Sequence, residues 1–168
     1  MLKTCLAGLA AVALFAPVAQ AVPKQVIITR HADRDAGNMQ GLTLNPRGYV
    51  RALKYGDYIL NTYGNVDVIV STNPNGRSNI LHSIRQLQTL APLASAMTQL
   101  GHKFEFQNPY RSAEYQDLVD DVMSNAEYQD KTVLICWDYK MIPQMITAFG
   151  ASADLVPKWR KKDYDSVV

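Results

Sequence analysis

Histidine is scarce in this chain and missing from its last third: the 168 residues hold three, at His31, His82 and His102. Cysteine is scarcer still, with Cys5 close to the start and Cys136 inside the apolar run "TVLIC". These few, scattered side chains have no metal-ligand spacing. Cys136 reads as a buried, inert thiol. An excess of one charge is also lacking, since 17 Lys and Arg face 15 Asp and Glu for a net +2. Near balance gives no steering field toward nucleic acid or a membrane surface, and the one basic concentration, Lys158, Arg160, Lys161 and Lys162, reads as solvated surface. The nine glycines form no phosphate-cradling loop, and the nine tyrosines are dispersed without interleaved basic residues. Repeats and low-complexity segments are absent, and the length suits one domain.

The opening "MLKTCLAGLAAVALFAPVAQA" has a cationic start at Lys3, an apolar stretch to Phe15 and a small-x-small ending at Ala19-Gln20-Ala21. It reads as a secretory signal over residues 1–21, its apolar run short for a bilayer span. The expectation is an exported protein, periplasmic or secreted, without a stable membrane anchor after cleavage. The folded domain would then occupy 22–168.

Strand and helix patterns alternate from there. Val26 to Thr29 reads as a short buried strand, and "LNPRGYVRALKYGDYILNTYG" as a helix capped by Asn45, with Pro46 in its first turn and Gly64 at its end. "VDVIVST" is the near-continuous apolar run of a strand buried on both faces. "HSIRQLQTLAPLASAM" is a helix with Ile84, Leu87, Ala91 and Ala94 at core spacing, and Pro92 predicts a kink or restart within it. "HKFEFQ" reads as a strand, "SAEYQDLVDDVMSN" as a helix burying Leu118, Val119, Val122 and Met123, "KTVLICW" as a strong strand, "IPQMITAFG" as a short helix and "DYDSVV" as the start of a strand. The alternation predicts an α/β fold, three-layered α/β/α around a mostly parallel sheet. Ligands of such sheets sit beyond the carboxyl ends of the strands, which is where "TRHADR" leaves the first one.

An arginine beside a histidine at that edge suits a phosphate ester. A guanidinium offers a planar fork for two phosphate oxygens, and a neutral imidazole nitrogen can attack phosphorus. The plainer reading has Arg30 and Arg34 paired with Asp33 and Asp35 on a surface loop, with His31 capping the strand.

The stretch "TRHADR" resembles the Arg-His signature of the histidine phosphatase superfamily, which includes phosphoglycerate mutases and histidine acid phosphatases. "GLTLNPRGYVRALKYGDYI" is similar to that family's following segment, and "STNPNGRSNILHSIRQLQTLAPLA" to its second block, a strand ending in serine before a helix that carries "R..QT..PLA". The resemblance implies a phosphoglycerate mutase-like fold and a phosphate monoester hydrolase that needs no metal or organic cofactor. Its partner would be a small phosphorylated substrate or inorganic phosphate. His31 would be the nucleophile that becomes phosphohistidine, with Arg30, Arg85 and Arg34 as phosphate ligands; Ala32 and Ala36 stand where the family has glycine and proline. Ser83 and Gln86 fit a loose capping box that puts Arg85 in a first helical turn, where free N–H groups favour an anion. His82 reads either as a pocket residue or as an exposed polar one.

The family's second histidine falls in the stretch matched by "TVLICWDYKMIPQMI", and Tyr139 occupies its place. Tyrosine has an O–H donor but cannot carry the positive charge of an imidazolium. Losing one preorganised donor at a developing oxyanion costs about 2.7–4 kcal/mol, roughly 100-fold to 1000-fold in rate. A slowed phosphatase and a phosphate-ester-binding pseudophosphatase are both compatible with that change, as is an exported structural or interaction protein. The carboxyl that would protonate the leaving oxygen is Glu114 or Asp138, each of which also reads as an ordinary solvated side chain.

Overall fold

The computed structural model describes residues 22–34, 41–76 and 80–168. The signal segment, Asp35 and Ala36 lie outside the described residues. Four strands, β1 (Gln25–Arg30), β2 (Val68–Ser71), β3 (Glu105–Gln107) and β4 (Thr132–Trp137), alternate with four helices, α1 (Pro46–Tyr63), α2 (Arg85–Gln99), α3 (Tyr115–Ser124) and α4 (Ile142–Ala148). The strands form one sheet in the order β1-β4-β2-β3, every pair parallel.

The apolar runs explain this architecture. Every residue of β2 and β4 is buried, and successive side chains supply opposite faces. Val68, Val70, Val133, Ile135 and Trp137 pack with Leu118, Val119 and Val122 of α3 and with Ile142 and Met145 of α4. Ile27, Ile69, Leu134 and Cys136 face the other way, against Ile59 of α1 and Leu90, Leu93 and Met97 of α2. The fold is thus the α/β/α sandwich the alternation predicts. Cys136 lies wholly in the second core, where burial pushes its thiol pKa up and keeps it unreactive.

Helix α1 starts and stops where its sequence directs. Asn45 Oδ1 accepts the Gly48 N–H at 2.8 Å, Pro46 occupies the first turn, and Gly64 ends the helix at φ 76°. Gly48 has a second duty. A Cβ there would collide with the Asp33 carbonyl oxygen, so only glycine lets α1 press on the loop that follows β1.

Three local expectations need correction. Helix α2 runs unbroken through Pro92, because the cost of an interior proline, about 3 kcal/mol, is offset by burial of Leu90, Leu93 and Met97 at roughly 1.5–3 kcal/mol each. Its buried face is Gln86, Thr89, Leu90, Leu93 and Met97, while Ala91 is exposed, since two polar residues belong to the inward stripe. The final residues form no strand: Val167 bridges Thr29 and Val168 exchanges two hydrogen bonds with Ile28, enough only to cover the free edge of β1.

Candidate functional site

Strands β1 and β4 are neighbours with Arg30 opposite Trp137, so the loops that leave them emerge side by side. The first carries His31 to Arg34 and the second Asp138 and Tyr139. Arg85 occupies the first position of α2, the helix that follows β2 in the chain. The capping box forms only in part. Ser83 Oγ accepts the Arg85 N–H at 3.3 Å and lies 3.4 Å from Gln86 Oε1, leaving other N–H groups of this turn without a side-chain cap.

Arg30 is 2% exposed and has no carboxylate partner among the described residues. Its Nη1 donates to the carbonyl oxygens of Lys161 at 2.7 Å and Asp163 at 3.0 Å. Its Cζ lies over two aromatic rings, 4.3 Å from the centre of Tyr139 and 4.1 Å from that of Tyr164. Arg85 is anchored in the same manner, Nη1 donating to Gly41 O at 2.7 Å. In both residues Nε is buried without a hydrogen-bond partner. An unsatisfied buried donor costs about 1–3 kcal/mol, more on a charged group, so two such N–H groups in one site favour an anion that would satisfy them.

His31 is 3% exposed. Its Nδ1 lies 2.7 Å from the Ala32 carbonyl oxygen, a contact that places the proton on Nδ1 and leaves Nε2 with its lone pair. Burial pushes its pKa down to about 3; the Ala32 hydrogen bond works against that, while the charges of Arg85, Arg30 and Arg34 reinforce it. Burial likewise lowers the pKa of Arg30 and of Arg85, with the Asp138 carboxylate opposing the fall in both. Arg30, His31, Arg34 and Arg85 therefore share one electrostatic neighbourhood with Asp138.

The loop is braced by residues that do not face this cluster. Asp33 accepts Arg51 Nε at 2.5 Å and lies 3.6 Å from Arg47, so it pairs with α1 and with neither Arg30 nor Arg34, contrary to the plainer reading. Ala32 N–H donates to Thr89 Oγ1 at 2.9 Å, tying the His31 loop to α2. Arg34 is half-buried and bridges Leu44 through its backbone. His82 is exposed, its N–H bonded to Pro74 O at 2.7 Å. Of the candidate acids, Asp138 acts on both arginines, whereas Glu114 accepts from the backbone N–H of Arg111 at 2.8 Å and its guanidinium at 3.1 Å. Tyr139 stands with its ring against Arg30.

Sequence reasoning missed Tyr164. Its ring centre lies 6.0 Å from that of His31, and it also touches Arg30. The tyrosine belongs to a polar stretch more than a hundred residues away, with no periodicity or motif to mark it. It also lines a cleft of about 450 Å³ with Arg51, Lys54, Tyr55, Tyr58 and Val167. Among the described residues no three His, Cys, Asp or Glu side chains converge as metal ligands, and no helix is long and apolar enough to cross a membrane.

A solved structure assigned as the phosphohistidine phosphatase SixA from Agrobacterium tumefaciens superposes on the chain with a TM-score of 0.53, at 21% identity and 80% coverage of each chain. They share a fold. This SixA-like fold is mostly parallel, with helices on both faces, and its likeness at that identity speaks for architecture alone. A second protein assigned as SixA, from Nakamurella multipartitia, aligns at TM-score 0.45 and 19% identity over 76% of this chain and 71% of that one. A mycobacterial glucosyl-3-phosphoglycerate phosphatase aligns at 0.43 and 13% over 76% and 78%. No family model and no curated protein matches the sequence.

Proposed function

We propose that the protein is a phosphate monoester hydrolase of the histidine phosphatase type that works through a phosphohistidine at His31. The observation that carries this reading is the pair of anchored arginines whose buried Nε–H groups lack acceptors beside an imidazole held neutral with Nε2 unprotonated. A phosphoryl group seated there accepts from Arg30 and Arg85, and Arg34 adds charge. The Nε2 lone pair attacks phosphorus as the ester P–O bond breaks, and the leaving oxygen takes a proton through Asp138. Water then attacks the phosphorus, giving a proton back to Asp138 as the P–N bond breaks, which releases inorganic phosphate and restores the imidazole. The signal-like start supports export to the periplasm or beyond.

Tyr139 favours a second reading, a phosphate-ester binder without turnover. It presents an aromatic ring to Arg30, where the family places a second histidine. Hydrolysis of a chromogenic aryl phosphate by the mature protein separates the two. Turnover that is abolished in His31→Ala and blocked by vanadate is the expected result. Vanadate binding without turnover would select the binder, and neither binding nor turnover would overturn both.

A further inference from the structure

Arg30 presents a physical problem. A guanidinium this buried ordinarily sits beside a carboxylate, because an uncompensated buried charge is costly. Here no carboxylate forms a salt bridge with it among the described residues; the Asp138 carboxylate favours its charge from beyond contact, and Arg34 and Arg85 add repulsion. The groups that touch it are neutral: backbone carbonyls of Lys161 and Asp163 on Nη1, and the rings of Tyr139 and Tyr164 against its Cζ. A carboxylate would fix the side chain and cancel its charge. Carbonyl dipoles and π-faces fix it while leaving the full charge for an incoming anion.

We propose that Tyr164 is the positioning residue of the phosphate site, holding Arg30 in place through its ring face so that the guanidinium is oriented before the phosphoryl group arrives. The assignment rests on the reading that Arg30 binds that group. The segment around Tyr164 is built to deliver the ring. The Asp163 carboxylate accepts the Ser166 N–H at 3.1 Å, the Asp165 N–H at 3.2 Å and the Ser166 hydroxyl at 2.6 Å, closing a tight turn with Tyr164 inside it. Asp165 pairs with Arg51, which also holds Asp33, so one arginine joins this turn to the loop that carries His31. Two residues further on, Val167 and Val168 are fastened to β1 itself. Tyr164 is therefore held at both ends, and its ring is not a loose cover.

The test measures affinity for inorganic phosphate and vanadate by calorimetry, with the thermal midpoint of each sample, for the full mature chain. Tyr164→Phe keeps the ring and is expected to bind within about 3-fold of the unaltered protein. Tyr164→Leu fills similar space without a π-face and is expected to lose about 10-fold to 100-fold in affinity, the scale of a misplaced binding group. Phenylalanine analogues of rising fluorination at position 164 keep the shape while draining the ring face, so affinity should fall stepwise with fluorine number even where Leu does not fold. Equal affinity across that series, or a lower midpoint with unchanged affinity in Tyr164→Leu, would overturn the positioning role alone. Failure of the unaltered protein to bind either anion would overturn it together with the reading it rests on.

Discussion

The Nδ1 atom of His31 and the carbonyl oxygen of Ala32 are 2.7 Å apart, and that single contact decides which end of the imidazole is available for chemistry. With its pKa pushed down to about 3, His31 is neutral across the ordinary pH range, its proton on Nδ1. In a titration followed by NMR, the His31 ring carbons should not shift between pH 8 and 5, and the Nε2 resonance should have the position of an unprotonated nitrogen. A midpoint near the free-histidine value of about 6.5 would contradict the burial and the arginine field together.

The same displacement affects stability, with a sign that can be worked out. Below the free value of about 6.5 the unfolded chain takes up a proton that the folded His31 refuses until about pH 3, so the unfolded state binds more protons in that window. This contribution is complete above pH 6.5 and is lost as the pH falls through the window, at up to about 1.4 kcal/mol per pH unit. In urea unfolding between pH 7 and 4, His31→Gln should flatten that decline.

Arg85 offers a direct probe of the unsatisfied donors. Lysine keeps the charge but has no Nε–Nη fork and cannot reach Gly41 O while also meeting an anion in two places. Arg85→Lys should weaken phosphate binding by about 10-fold to 100-fold, on the scale of roughly 1.5–3 kcal/mol for a hydrogen bond to a charged group. Calorimetric titration reads it, and undiminished affinity would remove Arg85 from the site.

Tyr139→His restores an imidazole where the resemblance expects one. Turnover of an aryl phosphate should rise by about two to three orders of magnitude, matching the 100-fold to 1000-fold worth of a preorganised donor. No increase would mean that position 139 does not match the family's second histidine or that the tyrosine, against Arg30, has a task of its own.

At Gly48 the backbone of α1 meets the Asp33 carbonyl with no space for a side chain. Gly48→Ala should cost about 1–3 kcal/mol in urea unfolding, the usual range for overpacking, and should lower turnover as the His31 loop is displaced. An alanine variant with unchanged stability would show that this loop yields easily.

The strands were legible because β-branched runs buried on both faces leave an unmistakable pattern, as "VDVIVST" and "KTVLICW" show. The inward face of α2 was not, because Gln86 and Thr89 are buried for their hydrogen bonds, and a count of apolar residues passes over them. Arg30, His31 and Arg85 stood out through the resemblance of "TRHADR" and "R..QT..PLA" to a family signature, where spacing alone also allowed surface ion pairs. The placement of Tyr164, and the carbonyls that hold Arg30, could not, since a polar stretch returns to β1 through contacts to Arg30, two residues at its end and an ion pair to α1. Contacts between distant segments leave no local periodicity to read.

The most direct test is to trap the intermediate. The protein is mixed with a phosphorylated aryl substrate, quenched in alkali, digested, and its peptides weighed by mass spectrometry. We expect one phosphoryl group on the His31 peptide, acid-labile and absent from His31→Ala. Turnover with no label on His31, or with the label on another residue, would contradict the proposed chemistry.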